Sequence, residues 1–166
     1  MKRLYVDTNI FIRLFEGNDA LTYALAELFL FERPGDEPFL ATSELTLAEA
    51  LVTPYRNSDE RLIDGYDSWI TSNPYLEVGP IHRQILWDAA VLRSQNPSLK
   101  LPDAIHVSTA IDMNCTHFLS ADERLSNRYE LVHTRHGMTR VAGGVEVLRP
   151  SVELVRDLVA GARDQS

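Results

Sequence analysis

Four acids in this chain stand beside segments that read as strand ends or helix starts. Asp7 directly follows the apolar run Leu4-Tyr5-Val6, and Asp122 follows HFLSA at 117–121. Glu49 lies in the first turns of a helix after PFLATS, and Asp103 lies in the first turn of a helix opened by Pro102. Four carboxylates in one cleft suit a hard divalent cation, Mg²⁺ or Mn²⁺, which takes oxygen ligands together with waters and substrate phosphate. Such an ion stabilises charge on a phosphoryl oxygen and supplies hydroxide for in-line attack, so the chemistry implied is phosphodiester hydrolysis. Zinc fits poorly, because there is one cysteine and the five histidines (82, 106, 117, 133, 136) show no paired ligand spacing. Neither GxGxxG nor GxxxxGK[ST] occurs, so no Gly-rich phosphate loop is present.

Each acid also has a purely structural explanation. Asp7, Thr8 or Asn9 can cap the first helix. Thr46 to Glu49 and Ser120 to Glu123 both match capping boxes. Asp103, just after a helix-opening proline, is favoured by the helix dipole. Capping accounts for each acid singly. It leaves unexplained why strand-proximal acids recur in four segments that one parallel sheet can bring together.

The elements that would position these acids alternate between strand and helix. Residues 3–6 read as a buried strand, and 20–32 as an amphipathic helix stopped by Pro34, Gly35 and Pro38. PFLATS is the next strand, ELTLAEALVTPYR a single helix, and 59–71 another closed by Asn73-Pro74. YLEVGP, HFLSA and VEVLRP supply three more strands, separated by helices from 81 to 94 and from Pro102 onward. This alternation predicts right-handed crossovers and a three-layer α/β/α sandwich around a mainly parallel sheet. In such folds ligands bind outside the carboxyl ends of the strands. Length and the lack of linkers or repeats predict a single domain over 1–166, with 151–166 a C-terminal helix and tail.

A net charge of −8 argues against a protein that coats nucleic acid electrostatically. It leaves room for an enzyme that uses nucleic acid as substrate, since a bound cation inverts the local field. Basic residues concentrate between Arg124 and Arg140, with four arginines, two histidines and one acid, Glu130. That segment is either a solvated loop or a contact for RNA backbone, with Arg124 and Arg128 the contact residues to examine. No run reaches the ~20 apolar residues of a membrane span, and the N-terminus lacks a secretory pattern, so a cytoplasmic protein is expected. Cys115 is expected as a buried thiol, and Trp69 and Trp87 as core. Asp64, Asp67, Asp88, Asp112 and Asp157 read as solvated helix faces. His106, one helical turn after Asp103, reads as a packed or capping histidine before a substrate contact.

In YVDTNIFI (5–12), LTLAEAL (45–51), LPDAIHVSTAI (101–111) and FLSADERL (118–125) the chain resembles PIN domains, specifically the VapC toxins of bacterial toxin–antitoxin pairs. The resemblance runs from about residue 3 to VLRP at 147–150. It implies that Asp7, Glu49, Asp103 and Asp122 hold Mg²⁺ or Mn²⁺, and that Asn9 and Ser120 orient these acids or the attacking water. Glu44 competes with Glu49 for the second position, and the match of LTLAEAL favours Glu49. The implied activity is metal-dependent endoribonuclease cleavage of RNA. The implied partners are a small antitoxin with a basic segment and a second copy of the chain in a homodimer.

Two rivals remain in view. A haloacid-dehalogenase-like phosphatase also begins with Asp after a strand, but needs a second Asp two positions on, where this chain has Asn9. A non-catalytic PIN-like module that binds RNA or protein typically lacks one or more of the acids, whereas all four are present here.

Overall fold

A computed structural model describes residues 3–31 and 38–163. The chain opens with β1 (Leu4–Val6), α1 (Thr8–Glu16), α2 (Ala20–Phe29) and β2 (Leu40–Ser43). It continues through α3 (Glu44–Ala50), α4 (Val52–Asn57), α5 (Glu60–Trp69) and β3 (Leu76–Gly79). Then come α6 (Arg83–Gln95), α7 (Leu101–Asp112), β4 (His117–Leu119), β5 (Arg128–Arg135), β6 (Met138–Leu148) and α8 (Val152–Arg163). Pro34 and Gly35, expected to stop the second helix, lie outside the described residues, as do 164–166 of the expected tail.

The sheet has six strands in the order β3-β2-β1-β4-β6-β5. All neighbours are parallel except the β5–β6 pair. Its short central strands are buried on both faces, so successive side chains feed two different cores. Leu4, Val6, Leu40 and Leu119 pack with α1, α2, α5 and α8, while Tyr5, Ala41 and Phe118 pack with α6, α7 and the β5–β6 pair. The result is the expected three-layer α/β/α sandwich with a mainly parallel sheet.

Two expectations about elements change. The helix expected over 44–56 is broken at Leu51 into α3 and α4. Pro54 causes the break, since its ring would clash with the carbonyl of Ala50 and its nitrogen has no proton to donate there. The basic segment expected as a loop is an antiparallel hairpin, β5–β6, whose two-residue turn sets His136 and Gly137 at φ 53° and 74°. Positive φ at both central residues is the turn geometry that matches strand twist. A bulge between Leu131 and Val132 lets the hairpin bend over α7. At that bend Gly143 has φ 156°, and a Cβ there would stand 2.7 Å from Ile111 Cγ2.

Two side-chain readings change as well. Trp69 packs against the core, in ring contact with Phe15 and Phe29. Trp87, expected in the core, is 46% exposed. Asp88, expected on a solvated face, is buried, accepting from Gln84 at 2.9 Å and lying 3.0 Å from His133 Nε2. The edge strand β5 packs on α6 and covers Asp88 while leaving its neighbour Trp87 open. Cys115 is the buried thiol expected, and burial pushes its pKa up to about 12.

The close approach of Gly143 to α7 is testable. Gly143→Val should destabilise the protein by about 2 kcal/mol, from overpacking against Ile111 together with an unfavourable φ. A lower urea midpoint at unchanged slope is the expected reading.

Candidate active site

The chain leaves β1, builds its sheet outward through β2 and β3, and then returns to place β4 on the other side of β1. The order therefore reverses between β1 and β4, the crevice where an open α/β sheet binds ligands. The register sets Val6 beside Leu119, so Asp7 and Ser120 emerge together at the carboxyl end of the sheet. The Asp7 amide extends the ladder to Leu119 O at 3.1 Å, and the Ser120 amide does the same to Leu148 O.

Asp7 is both a cap and part of a network. It is the N-cap of α1, with Oδ1 accepting from the Thr8 amide at 2.8 Å. Its Oδ2 accepts from Asn9 Nδ2 at 2.5 Å and from Ser120 Oγ at 2.6 Å. Ser120 Oγ in turn accepts from Asn9 Nδ2 (2.9 Å) and from the Asp122 amide (3.1 Å), and Asn9 Oδ1 accepts from the Ala121 amide. Asn9 and Ser120 thus tie the loop after β4 to the start of α1. The Ser120–Glu123 capping box does not form, since no helix follows Ser120. Nor does the one at Thr46–Glu49: Thr46 lies inside α3, its hydroxyl 2.7 Å from that of Thr42.

Glu49 reaches the same end of the molecule from α3. Its Oε2 accepts from Thr8 Oγ1 at 2.5 Å and from His106 Nε2 at 2.9 Å. With Nε2 as donor, the buried His106 ring presents Nδ1 as acceptor to the Tyr5 hydroxyl at 2.8 Å. Burial raises the Tyr5 pKa well above the ordinary phenol value, so Tyr5 keeps the proton it donates. Burial also opposes ionisation of Glu49, but the hydrogen bonds from His106 and Thr8 outweigh it and leave the carboxyl pKa lowered. Glu44, the competing acid, is exposed at the start of α3. Thr8 and Tyr5 were not read from the sequence as parts of this arrangement. Thr8's place inside the DTN triplet was the available signal; Tyr5, facing away as a core residue, gave none.

Asp103 enters from the first turn of α7 and Asp122 from the loop after β4. Burial raises the Asp103 pKa, and the charges of Asp7 and Asp122 raise it further. Asp122 shifts the opposite way. Hydrogen bonds from Arg124, helped by its charge, hold the carboxyl down at about 2. Arg128 lies elsewhere. It pairs in register with Glu146, level with His117 at the start of β4, and its guanidinium is 3.8 Å from Glu130.

A model of the PIN domain family matches residues 4–131. The chain belongs to the PIN domain family. Among solved structures, a toxin–antitoxin complex from Klebsiella pneumoniae is similar at 27% identity and TM-score 0.52, over 72% of this chain and 86% of that one. VapC20 from Mycobacterium tuberculosis, described as a sarcin-ricin loop cleaving toxin, aligns at 16% identity and TM-score 0.55, over 69% and 86% of the two chains. VapBC2 from Rickettsia felis, bound to a DNA fragment of its promoter, aligns at 15% identity and TM-score 0.58, over 89% and 98%. No curated protein matches the sequence. The fold is that of the PIN domain family, and the structural neighbours are toxins and toxin–antitoxin complexes.

The donor set is one of hard oxygens, and the raised pKa of Asp103 beside Asp7 and Asp122 marks a place that favours added positive charge. Among the described residues no three acidic, histidine or cysteine side chains already stand at metal-holding positions. Asp122 gives the physical reason on its side, because its carboxylate is engaged by Arg124. Oxygen donors of this kind are those that suit Mg²⁺ or Mn²⁺, and the Asp122 carboxylate is held by Arg124. No helix among the described residues is long and apolar enough to cross a membrane.

Arg124 makes a direct prediction. A depressed carboxyl pKa contributes stability that is present above the unfolded value and lost as pH falls through the folded value, here about 2. In Arg124→Ala the Asp122 carboxyl should titrate near the ordinary value of about 3.9. The acid-side loss of stability due to Asp122 should then shrink, because a carboxyl that titrates alike in the folded and unfolded chain contributes none. Carbon-13 NMR titration of the side-chain carboxyls reads the midpoint and urea unfolding at low pH reads the stability; an Asp122 midpoint still near 2 would remove Arg124 as its cause.

Proposed function

We propose that this PIN domain is a metal-dependent endoribonuclease, the toxin of a VapBC-type toxin–antitoxin pair. The observation that carries the reading is the coupling of Asp7, Asp103 and Asp122 at the β1–β4 reversal, with Glu49 held beside them through Thr8 and His106. Asp7, Glu49, Asp103 and Asp122 would hold Mg²⁺ or Mn²⁺, which when bound activates water and stabilises charge on the phosphoryl oxygens. Asn9 and Ser120 keep Asp7 in place by donating to Oδ2. His106, fixed by Tyr5, aims Glu49 and sustains its ionised form. These are ground-state jobs of positioning, completed before RNA arrives.

The antitoxin partner is supported by the similarity to the complexes from Klebsiella pneumoniae and Rickettsia felis, each of which contains one. A small antitoxin with a basic segment would answer the net charge of −8 and the clustered acids. The working unit is a homodimer, which light scattering of the purified chain would check. The alternative, a PIN-like module that binds without turnover, draws support from one feature: Arg124 occupies Asp122.

Asp7→Asn separates these readings. Asn caps a helix about as well as Asp, so a pure cap would lose almost nothing. As part of the acid constellation, the variant should cut RNA at least ~100-fold more slowly. Mn²⁺ should also raise its melting temperature less than it raises that of the wild type. Wild-type cleavage with a full Mn²⁺ shift would leave Asp7 a cap alone. In cells, expression of the chain by itself should arrest growth, and co-expression of its antitoxin should restore it. Unchanged growth would count against the toxin role while leaving the nuclease intact.

A further inference from the structure

The hairpin carries the basic residues away from the acids. Strand β6 is parallel to β4 and reaches the acid end at Leu148, paired with Leu119. Arg140 lies eight residues earlier, which at about 3.3 Å per residue is about 26 Å back along the strand. Arg135 pairs with Met138 at the hairpin tip, farther still. Both lie beyond the residues that match the family model.

At that far end a groove of about 780 Å³ opens between α6, the end of α7 and the hairpin. Arg83, Arg135 and Arg140 line it, together with Trp87. Asp88 and Asp112 line it too, Asp88 held by Gln84 and His133 and Asp112 by His82 at 3.2 Å. No ion pair involves any of the three arginines among the described residues. Arg135 instead stands over the indole of Trp87, 5.6 Å from the ring centre. Three guanidinium groups outside any ion pair, against two lining carboxylates, leave this groove the more basic around a half-open indole in a chain of net charge −8.

We propose that this groove is a second contact surface for single-stranded RNA, distinct from the acid site. Phosphates would engage Arg83, Arg135 and Arg140, and a base would stack on Trp87. Arginine suits phosphate through its paired donors, and an aromatic face takes any base. An acidic protein surface would also satisfy the arginines, but guanidinium groups set beside a half-exposed aromatic face are the combination that takes phosphate and base together. The inference rests on the RNA substrate proposed above and adds to it a surface about 26 Å from the chemistry, which only a longer strand can reach together with the acids.

The test is fluorescence anisotropy of a labelled single-stranded RNA of about twelve nucleotides, inside the ~4–16 typical of such surfaces. The titrations are run in chelator, so binding is read without cleavage. Arg135→Ala combined with Arg140→Ala should lower the salt slope by about 0.7 per lost phosphate contact, and Trp87→Ala should weaken binding about tenfold. Arg83→Ala, at an exposed position on α6 away from the hairpin, tests the groove without touching the hairpin fold. In Mn²⁺ the same changes should raise KM for long RNA and leave cleavage of a tetranucleotide unaltered. Wild-type affinity and slope in the Arg83→Ala protein and in the Arg135/Arg140 double variant would overturn the proposal. So would failure of the wild type to bind, or displacement of RNA by polyglutamate at equal charge, which would make the groove a protein-docking surface. Loss of Mn²⁺-dependent cleavage with binding intact would strike the nuclease reading alone.

Discussion

The arrangement depends on satisfying a nearly buried carboxylate at the end of a fully buried strand. Asp7 is only 8% exposed and follows three residues with no exposure at all. An ionised group in that position is costly unless donors satisfy it. The donors come from three places: the Thr8 amide, the Asn9 side chain and Ser120 from beyond β4. Only the register that pairs Val6 with Leu119 brings Ser120 within reach. Because side chains alternate along a strand, a slip of one residue would exchange the faces of Phe118 and Leu119 as well as strand Asp7. The packing of two hydrophobic cores therefore enforces the polar contact.

The same logic explains the contrast among the four acids. Glu49 is ionised more readily because Thr8 and His106 both donate to it, and His106 is held by Tyr5 in the opposite core. Asp103 has burial and like charges against it, and its pKa rises. Asp122 has an arginine and its pKa falls to about 2. One small region thus contains a satisfied acid, an unsatisfied one and one neutralised from within the chain. Carboxylates pushed in opposite directions while coupled through their charges are a mark of functional sites more than of structural caps.

Much of this was legible in the sequence because each acid interrupts an apolar pattern at an element boundary. Asp7 after LYV and Asp103 after Leu101-Pro102 announce themselves by position. The hairpin was not legible for a related reason. Only Tyr129, Leu131, Val145 and Val147 of its two strands are buried, while 134–142 is exposed throughout, so most of it carries no apolar alternation. Its turn is His-Gly and not the Asn-Gly or Asp-Gly that marks such hairpins. Trp87 and Asp88 were misassigned together as a consequence. Helical spacing says which residues share a face, but what covers that face is decided by distant chain, here β5. The pairing of Tyr5 with His106 was equally hidden, since it joins residues 101 positions apart.

Charge is accordingly uneven along the strand direction, with four acids at the carboxyl end of the sheet and three arginines outside any ion pair, among the described residues, against two acids in the groove at the hairpin end. A polyanion approaching this surface meets attraction at one end and repulsion at the other, so the field orients it before contact. Repulsion at the acid end is partly offset by Arg124, whose guanidinium sits on Asp122. That contact has two consequences of opposite sign. It lowers the net negative charge that a phosphate would face, and it occupies the carboxylate that a divalent ion would need. On the function proposed above, a cation recruited to Asp122 would displace Arg124 and release it beside the substrate phosphate. Because Arg124 is 68% exposed at its side chain, the exchange costs little packing. Its position two residues from Asp122 keeps it close after the exchange. On the proposed function, a single arginine would thus neutralise the acid in the free protein and a phosphate in the occupied one.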